Sequence, residues 1–286
     1  MIRKANIRDL NFLKEIYNKT YNGGYSLLFD YYGSVDENQF LKILKKKDFF
    51  VFANTGFFVF GDEGRLTLEE CILQCKGIPS WNFEVCEEDE KHMEEVYEFV
   101  EEYFKEKNRN KIVLRTVENN SFSLLLAKKF KFQYLASLVI SEKNLNKTFE
   151  VKVLKGYKLR EYEDGDESQF SEIHKECFGE KISEKEFRKW VKKGKGFVLE
   201  KGEVVGFVIA EVRDGIGDWT ISILKEHRGK GLGKALLYSA FDFFLENNVQ
   251  KVFADCWAEN YKALEFYRKL GFETERIYIY FEKVIE

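Results

Sequence analysis

Apolar positions along this chain alternate between two periods. Leu10, Leu13, Ile16 and Tyr17 fall on one helical face, and Met93, Val96, Tyr97, Val100, Tyr103 and Phe104 make a longer helical stripe. Leu232, Leu236, Ala240 and Phe243, spaced 4, 4 and 3, predict another. Between such stripes lie short apolar runs of strand length. In the first half these predict strands over 1–7, 49–53, 57–60, 81–86, 111–116 and 132–140, with 65–75 continuing the sheet. Asn54-Thr55-Gly56 signals a hairpin, an aromatic, glycine-containing loop occupies 21–32, and helices are predicted over 37–46 and 121–129. After a polar stretch at 141–148 the order returns. Strands are expected over 157–162, 196–200, 204–212, 219–224 and 251–256 and a final strand or hairpin over 273–284, with helices over 167–178, 184–192 and 261–270.

The recurrence is also one of individual residues. Arg3, Asp9, Leu13 and Ile16 correspond to Arg160, Asp166, Phe170 and Ile173, 157 positions on. Gly77-Ile78-x-x-Trp81 corresponds to Gly215-Ile216-x-x-Trp219, 138 on. Lys111, Asn120 and Phe132 correspond to Lys251, Asn260 and Phe272, 140 on, although Glu118 falls on Ala258. Landmarks in one order argue for tandem copies of one fold, with domains over 1–148 and 149–286.

Length, at 286 residues, agrees with two domains. With 46 Lys and Arg against 49 Asp and Glu the net charge is −3, which argues against a nucleic-acid-binding surface. The N-terminal 20 residues lack an apolar signal core, and no apolar run approaches the roughly 18 residues of a membrane span. Cysteines 71, 75, 86, 177 and 256 are odd in number and scattered, which reads as buried thiols, not zinc ligands or disulfides. A cytoplasmic protein without a metal, monomeric in its two repeats, is the expectation.

The candidate chemistry is concentrated after the 219–224 strand, where Arg228-Gly229-Lys230-Gly231-Leu232-Gly233-Lys234 opens a helix. A strand ending in a basic, glycine-rich turn and then a helix is an anion cradle. Glycines allow positive φ and close approach, and the free N–H groups and dipole of the helix start favour a phosphate. A P-loop requires Ser or Thr after its lysine, where Ala235 stands, and the six-residue dinucleotide fingerprint fails at Lys234 and Leu236. A tight turn with a solvated basic rim is the alternative reading.

The Arg-x-x-Gly-x-Gly of Arg228, Gly231 and Gly233 resembles the acyl-CoA pyrophosphate loop of the GNAT acetyltransferase superfamily. Downstream, Asn260-x-x-Ala263-Leu264-x-Phe266-Tyr267-x-x-Leu270-Gly271-Phe272 resembles its second signature. The resemblance covers 157–286, with Lys225 where the family commonly has proline. It implies two GNAT-like α/β (α+β) domains, each a central mixed, mostly antiparallel sheet flanked by helices. It implies acetyl-CoA as co-substrate, its pantetheine arm on Ile221, Ser222 and Ile223 and its pyrophosphate on Arg228, Gly229, Lys230, Gly231, Leu232, Gly233 and Lys234. Asn260 is expected to contact the cofactor arm, and Tyr267, on the same helix, to protonate the leaving thiolate. An amine must lose a proton before attacking a thioester, and the resemblance makes Asp255, at a position where related N-terminal acetyltransferases carry a Glu base, the first candidate for general base. Glu211, Asp218 and Glu226 are alternatives, and His227 reads as an exposed loop residue.

In the first half, the positions of Arg228, Gly231 and Gly233 are Glu90, Met93 and Glu95, and those of Asp255 and Tyr267 are Arg115 and Ala127. Carboxylates there repel pyrophosphate, so this copy is expected to be non-catalytic. The whole then reads as an N-acetyltransferase acting on a small-molecule or protein amine. The rivals are an acyl-CoA-binding sensor without turnover and a nucleotide-binding protein using the same loop.

Overall fold

The computed structural model describes residues 2–21, 25–26, 31–52, 56–60, 67–69, 87–118, 120–213 and 215–285. The predicted 81–86 strand, the Gly77–Trp81 match, Asn54, Thr55 and cysteines 71, 75 and 86 lie outside them. The strands are β1 (Ile2–Lys4), β2 (Tyr25–Ser26), β3 (Tyr31–Tyr32), β4 (Asp48–Phe52), β5 (Gly56–Phe60), β6 (Thr67–Glu69), β7 (Lys111–Val117), β8 (Gln133–Asn144), β9 (Lys158–Glu161), β10 (Gly194–Lys201), β11 (Glu203–Arg213), β12 (Ile216–Ile223), β13 (Lys251–Trp257) and β14 (Glu273–Val284). The helices are α1 (Leu10–Tyr21), α2 (Glu37–Leu44), α3 (Glu87–Glu106), α4 (Ser121–Lys129), α5 (Glu167–Phe178), α6 (Glu184–Val191), α7 (Leu232–Glu246) and α8 (Tyr261–Lys269). Contacts divide them into two compact units. The first holds Met1–Ile140, Asp255–Leu264 and Thr274–Glu286; the second holds Ser141–Ala254 and Glu265–Glu273.

In the first unit β1, β4, β5 and β6 pair antiparallel in that order, β6 runs parallel to β7, and β7 pairs antiparallel with β14. The continuous apolar run of β4 follows from burial on both faces. Phe49 meets Phe40 of α2 (ring centroids 5.7 Å apart) and Phe57 (5.8 Å), whereas Phe50 stacks on Phe58 (5.5 Å) and joins a cluster with Met93, Val96, Val100 and Phe104 of α3. The predicted aromatic loop contains a two-stranded ladder, with Tyr25 opposite Tyr32.

In the second unit β9, β10, β11 and β12 pair antiparallel in turn. Helix α7 packs Leu232, Leu236, Leu237, Ala240, Phe241 and Phe244 on one side of them, and α5 and α6 place Phe170, Ile173 and Phe187 on the other. Phe243, counted in the predicted stripe, is half-buried at its edge, and Phe244 takes the core position. A register shift at Leu199/Glu200 lets Val205 and Val208 face α7 while Val204 and Phe207 face α5.

The repeat offsets reappear as bonds. Asp9 takes both terminal nitrogens of Arg3 (2.8 and 2.6 Å) and the Asn6 N–H (2.9 Å); Asp166 takes both of Arg160 (2.8 Å each) and the Glu163 N–H (2.8 Å). At offset 140, Asn120 caps α4 through Ser123 N–H, and Asn260 caps α8 through Ala263 N–H, both at 3.2 Å. The final strands are exchanged. In the first unit Glu118 N–H donates to Ile277 of β14 (3.1 Å), and Ala258 N–H to Ser137 of β8 (2.8 Å). Lys111 pairs with Glu282 at 2.5 Å in the first unit, and Lys251 with Glu142 at 3.0 Å in the second. Each pair is the other shifted by 140 positions.

Candidate active site

The second unit's site grows from the way β12 parts from its neighbour. Strand β11 holds β12 along its length, from Gly206 opposite Ile223 to Arg213 opposite Ile216. On the other edge the parallel ladder to β13 registers one pair, Gly217 with Val252. Close packing fixes glycine there, since a Cβ would meet Phe244 and Val252 at 2.8 Å. Beyond that pair β12 runs on to Ile223. In the first unit the parallel ladder of β6 with β7 registers Thr67, Leu68 and Glu69 in succession. On the diverging strand Ile221 is half-buried, Ile223 is buried, and the buried Ser222 Oγ has no hydrogen-bond partner.

After a 3-10 turn at Lys225–His227 the loop enters α7. Gly229 and Gly231 have φ of +76° and +77°, the left-handed region that costs an L-residue about 1–2 kcal/mol. Gly231 is the N-cap, no side chain caps the helix, and its first turn closes with Ala235 N–H on Gly231 O at 3.3 Å. Gly233 is glycine for another reason: a Cβ would lie 3.2 Å from the Phe266 ring of α8 and 3.5 Å from Ile223 Cδ1. Leu232, between them, is buried and anchors the turn. The loop therefore presents backbone donors at the positive end of α7.

Arg228, Lys230 and Lys234 surround these donors and are exposed. Arg228 Nε donates to Ile223 O at 2.7 Å, and its terminal nitrogen lies 3.2 Å from Cys177 Sγ. Lys230 Nζ donates to Glu226 O at 2.8 Å, and Lys234 Nζ sits 5.1 Å over the Tyr238 ring. His227, read from sequence as exposed, is half-buried, with Nδ1 2.8 Å from the Tyr157 hydroxyl. Cys177, expected to be a buried thiol, is half-buried, and neither it nor Tyr157 carries a motif that places it beside a loop so far away in the chain. Phe266 lay inside the second signature, but its contact with Gly233 had no signal.

Tyr267 packs against Phe266 and Phe272, each at 5.5 Å between ring centroids. The Phe272 N–H donates to Tyr267 O at 3.1 Å, and Phe132 N–H to Ala127 O at 2.9 Å, so Ala127 holds the Tyr267 position in the first copy. In the first unit Asp255 is exposed on β13, between buried Ala254 and Cys256. Burial, with Asp255 and Glu259 nearby, pushes the Cys256 thiol above its ordinary pKa. Of the alternative carboxylates, Glu211 and Asp218 both pair with Arg213, at 3.1 and 3.2 Å, and Glu226 lies 3.9 Å from His227 Nε2. His174 hydrogen-bonds Glu180 O at 2.9 Å within α5's packing. No helix among the described residues is long and apolar enough to cross a membrane.

Residues 160–272 match the Acetyltransferase (GNAT) family. A mycothiol acetyltransferase of Kocuria rhizophila is 26% identical over 147 residues, covering 43% of this chain and 48% of that protein, so the chain spans about half the length of this curated relative. The crystal structure of a GCN5-related N-acetyltransferase from Sphaerobacter thermophilus superposes with a TM-score of 0.73 at 14% identity, over 100% of this chain and 96% of that one. A tandem GNAT protein from the clavulanic acid biosynthesis pathway gives 0.64 at 12% identity, over 99% and 98%. At these identities the structural likeness concerns the fold. The chain is thus similar to the GNAT acetyltransferase family over residues 160–272, and over its whole length it shares the fold of a tandem GNAT protein.

Proposed function

We propose that this protein transfers an acetyl group from acetyl-CoA to a primary amine, using the cradle of the second half, 149–286. The observation that carries the reading is the diverging edge of β12 running into a loop with two left-handed glycines and an uncapped helix start. Residues 228–234 would hold the pyrophosphate, and the edge at Ile221, Ser222 and Ile223 the pantetheine amides. The orphaned Ser222 Oγ and the Gly233 position, which a Cβ would crowd, fit such a ligand. Asn260 is assigned to the cofactor arm through the part of its amide that does not cap α8.

Bound acetyl-CoA supplies an activated thioester carbonyl; the protein supplies orientation and proton management. Asp255 accepts one ammonium proton, the amine nitrogen adds to the acetyl carbon to give a tetrahedral oxyanion, and the C–S bond breaks as that oxyanion collapses; the second proton the nitrogen sheds offsets the one Tyr267 gives to sulfur. Backbone N–H near Ile223 stabilises the oxyanion. Tyr267 gives its phenolic proton to the departing sulfur, a transfer from a group of pKa about 10 to one of about 8.5 that works only at close range. The first half, with Ala127 and Arg115 at the acid and base positions, serves as a non-catalytic partner in a cytoplasmic monomer.

The test is CoA release with an amine panel, wild type against Tyr267→Phe. The reading expects turnover to fall at least about 100-fold while CoA affinity is nearly unchanged. CoA binding without release for any amine would instead favour a sensor.

A further inference from the structure

Strand β13 exposes its 255 and 257 side chains and buries their neighbours: Ala254 is 5% and Cys256 8% exposed, whereas Trp257 is 49% exposed. An indole left half in water needs a reason, and here it is not alone. Within the first unit the Trp257 ring lies 5.5 Å from that of Tyr280 on β14, tilted by 60°. Tyr261, at the start of α8, is 76% exposed, and Asp255 and Glu259 alternate with these aromatics as Asp255-x-Trp257-x-Glu259-x-Tyr261.

The internal repeat provides a control. At offset 140, Trp257 and Tyr280 correspond to Val117 and Ile140, which are 2% and 1% exposed. The scaffold bonds of the two copies coincide at that offset, so the fold is satisfied by buried aliphatic residues where this copy presents aromatic surface. Arg115, the counterpart of Asp255, places its guanidinium 5.8 Å from the Tyr278 ring and so reverses the charge at that position.

We propose that Trp257 and Tyr280 form the floor of an acceptor subsite for primary amines carried on a ring, with Asp255 and Glu259 attracting the ammonium. Aromatic faces bind both planar rings and the C–H faces of sugars, and a cation over an indole gains further. The ligand's identity as acceptor rests on the acyl-transfer reading; its binding does not.

The experiment is calorimetric titration of the full chain, without acetyl-CoA, with 2-phenylethylamine, D-glucosamine and n-butylamine. At least one ring amine is expected to bind about fivefold or more tighter than butylamine. Which one does so decides between an aryl and a sugar ring. Trp257→Ala is expected to erase the difference and Trp257→Phe to keep most of it. 2-Phenylethanol, with the ring and no charge, is expected to bind more weakly than its amine. Equal binding of the three amines, no binding of any, or a ring preference that survives Trp257→Ala overturns the proposal. A Trp257-dependent ring preference in a protein that does not bind acetyl-CoA would keep the subsite and sink acyl transfer. Acetyl-CoA binding without ring preference would do the reverse.

Discussion

Arg228 donates its Nε proton to the carbonyl of Ile223 at 2.7 Å, and so ties the first loop residue of the cradle to the last residue of the diverging strand. This bond sets the angle at which the chain leaves β12, while the exposed guanidinium retains donors for an anion. Arg228→Lys keeps the charge and loses the fork. Charged hydrogen bonds contribute about 1.5–3 kcal/mol, so CoA affinity should fall about tenfold or more. Titration calorimetry of both proteins checks this; equal affinities would reduce Arg228 to a point charge.

The glycines of the loop should fail in different ways. Gly231→Ala forces an L-residue into φ +77° and should cost about 1–2 kcal/mol of stability. Gly233 has an ordinary φ, and alanine there presses on Phe266, the neighbour of Tyr267. Gly233→Ala should therefore lower kcat for CoA release more than it lowers Tm, and Gly231→Ala the opposite. Steady-state kinetics beside thermal melts would separate them.

Glu167 gives the second unit a signature in acid. Burial pushes its carboxyl up, but hydrogen bonds from Tyr162 and Arg188, each 2.6 Å, outweigh that and hold it at about 2 against an ordinary 4.5. A depressed folded pKa means the contribution is complete above pH 4.5 and disappears as pH falls through 2. Glu167→Gln should be less stable at pH 7 and should show a shallower loss of stability between these values. Urea melts at stepped pH test it; parallel pH profiles would contradict it.

The exchanged strands predict a truncation effect at a distance in sequence. Residues after Phe272 include β14, which pairs with β7 from Tyr278 opposite Val117 to Val284 opposite Lys111. A chain ending at Phe272 should lose amide protection in β7, in the first half, though the deleted residues belong to the second. Hydrogen exchange reads this; unchanged protection of Ile112 to Val117 would contradict the pairing.

Much of the scaffold was legible because repeated residues make repeated bonds. Arg3 with Asp9 and Arg160 with Asp166 share an offset in the sequence and a geometry in the structure. The loop was legible because Gly229 and Gly231 stand where positive φ is required. The exchange of β8 and β14 was not, since an apolar strand has the same alternation whichever neighbour it joins. Nor were Cys177 beside Arg228 or Tyr280 beside Trp257, contacts that only long-range pairing creates.

Thermal unfolding with and without acetyl-CoA, on wild type and Gly231→Asp, tests the cofactor site in this loop most directly. At 100 times Kd a ligand specific for the native state adds about 2.7 kcal/mol, or several degrees in Tm. That shift is expected in wild type and not in the variant, where a carboxylate stands at the N-cap. No shift in wild type, or equal shifts in both, would contradict a cofactor site in this loop.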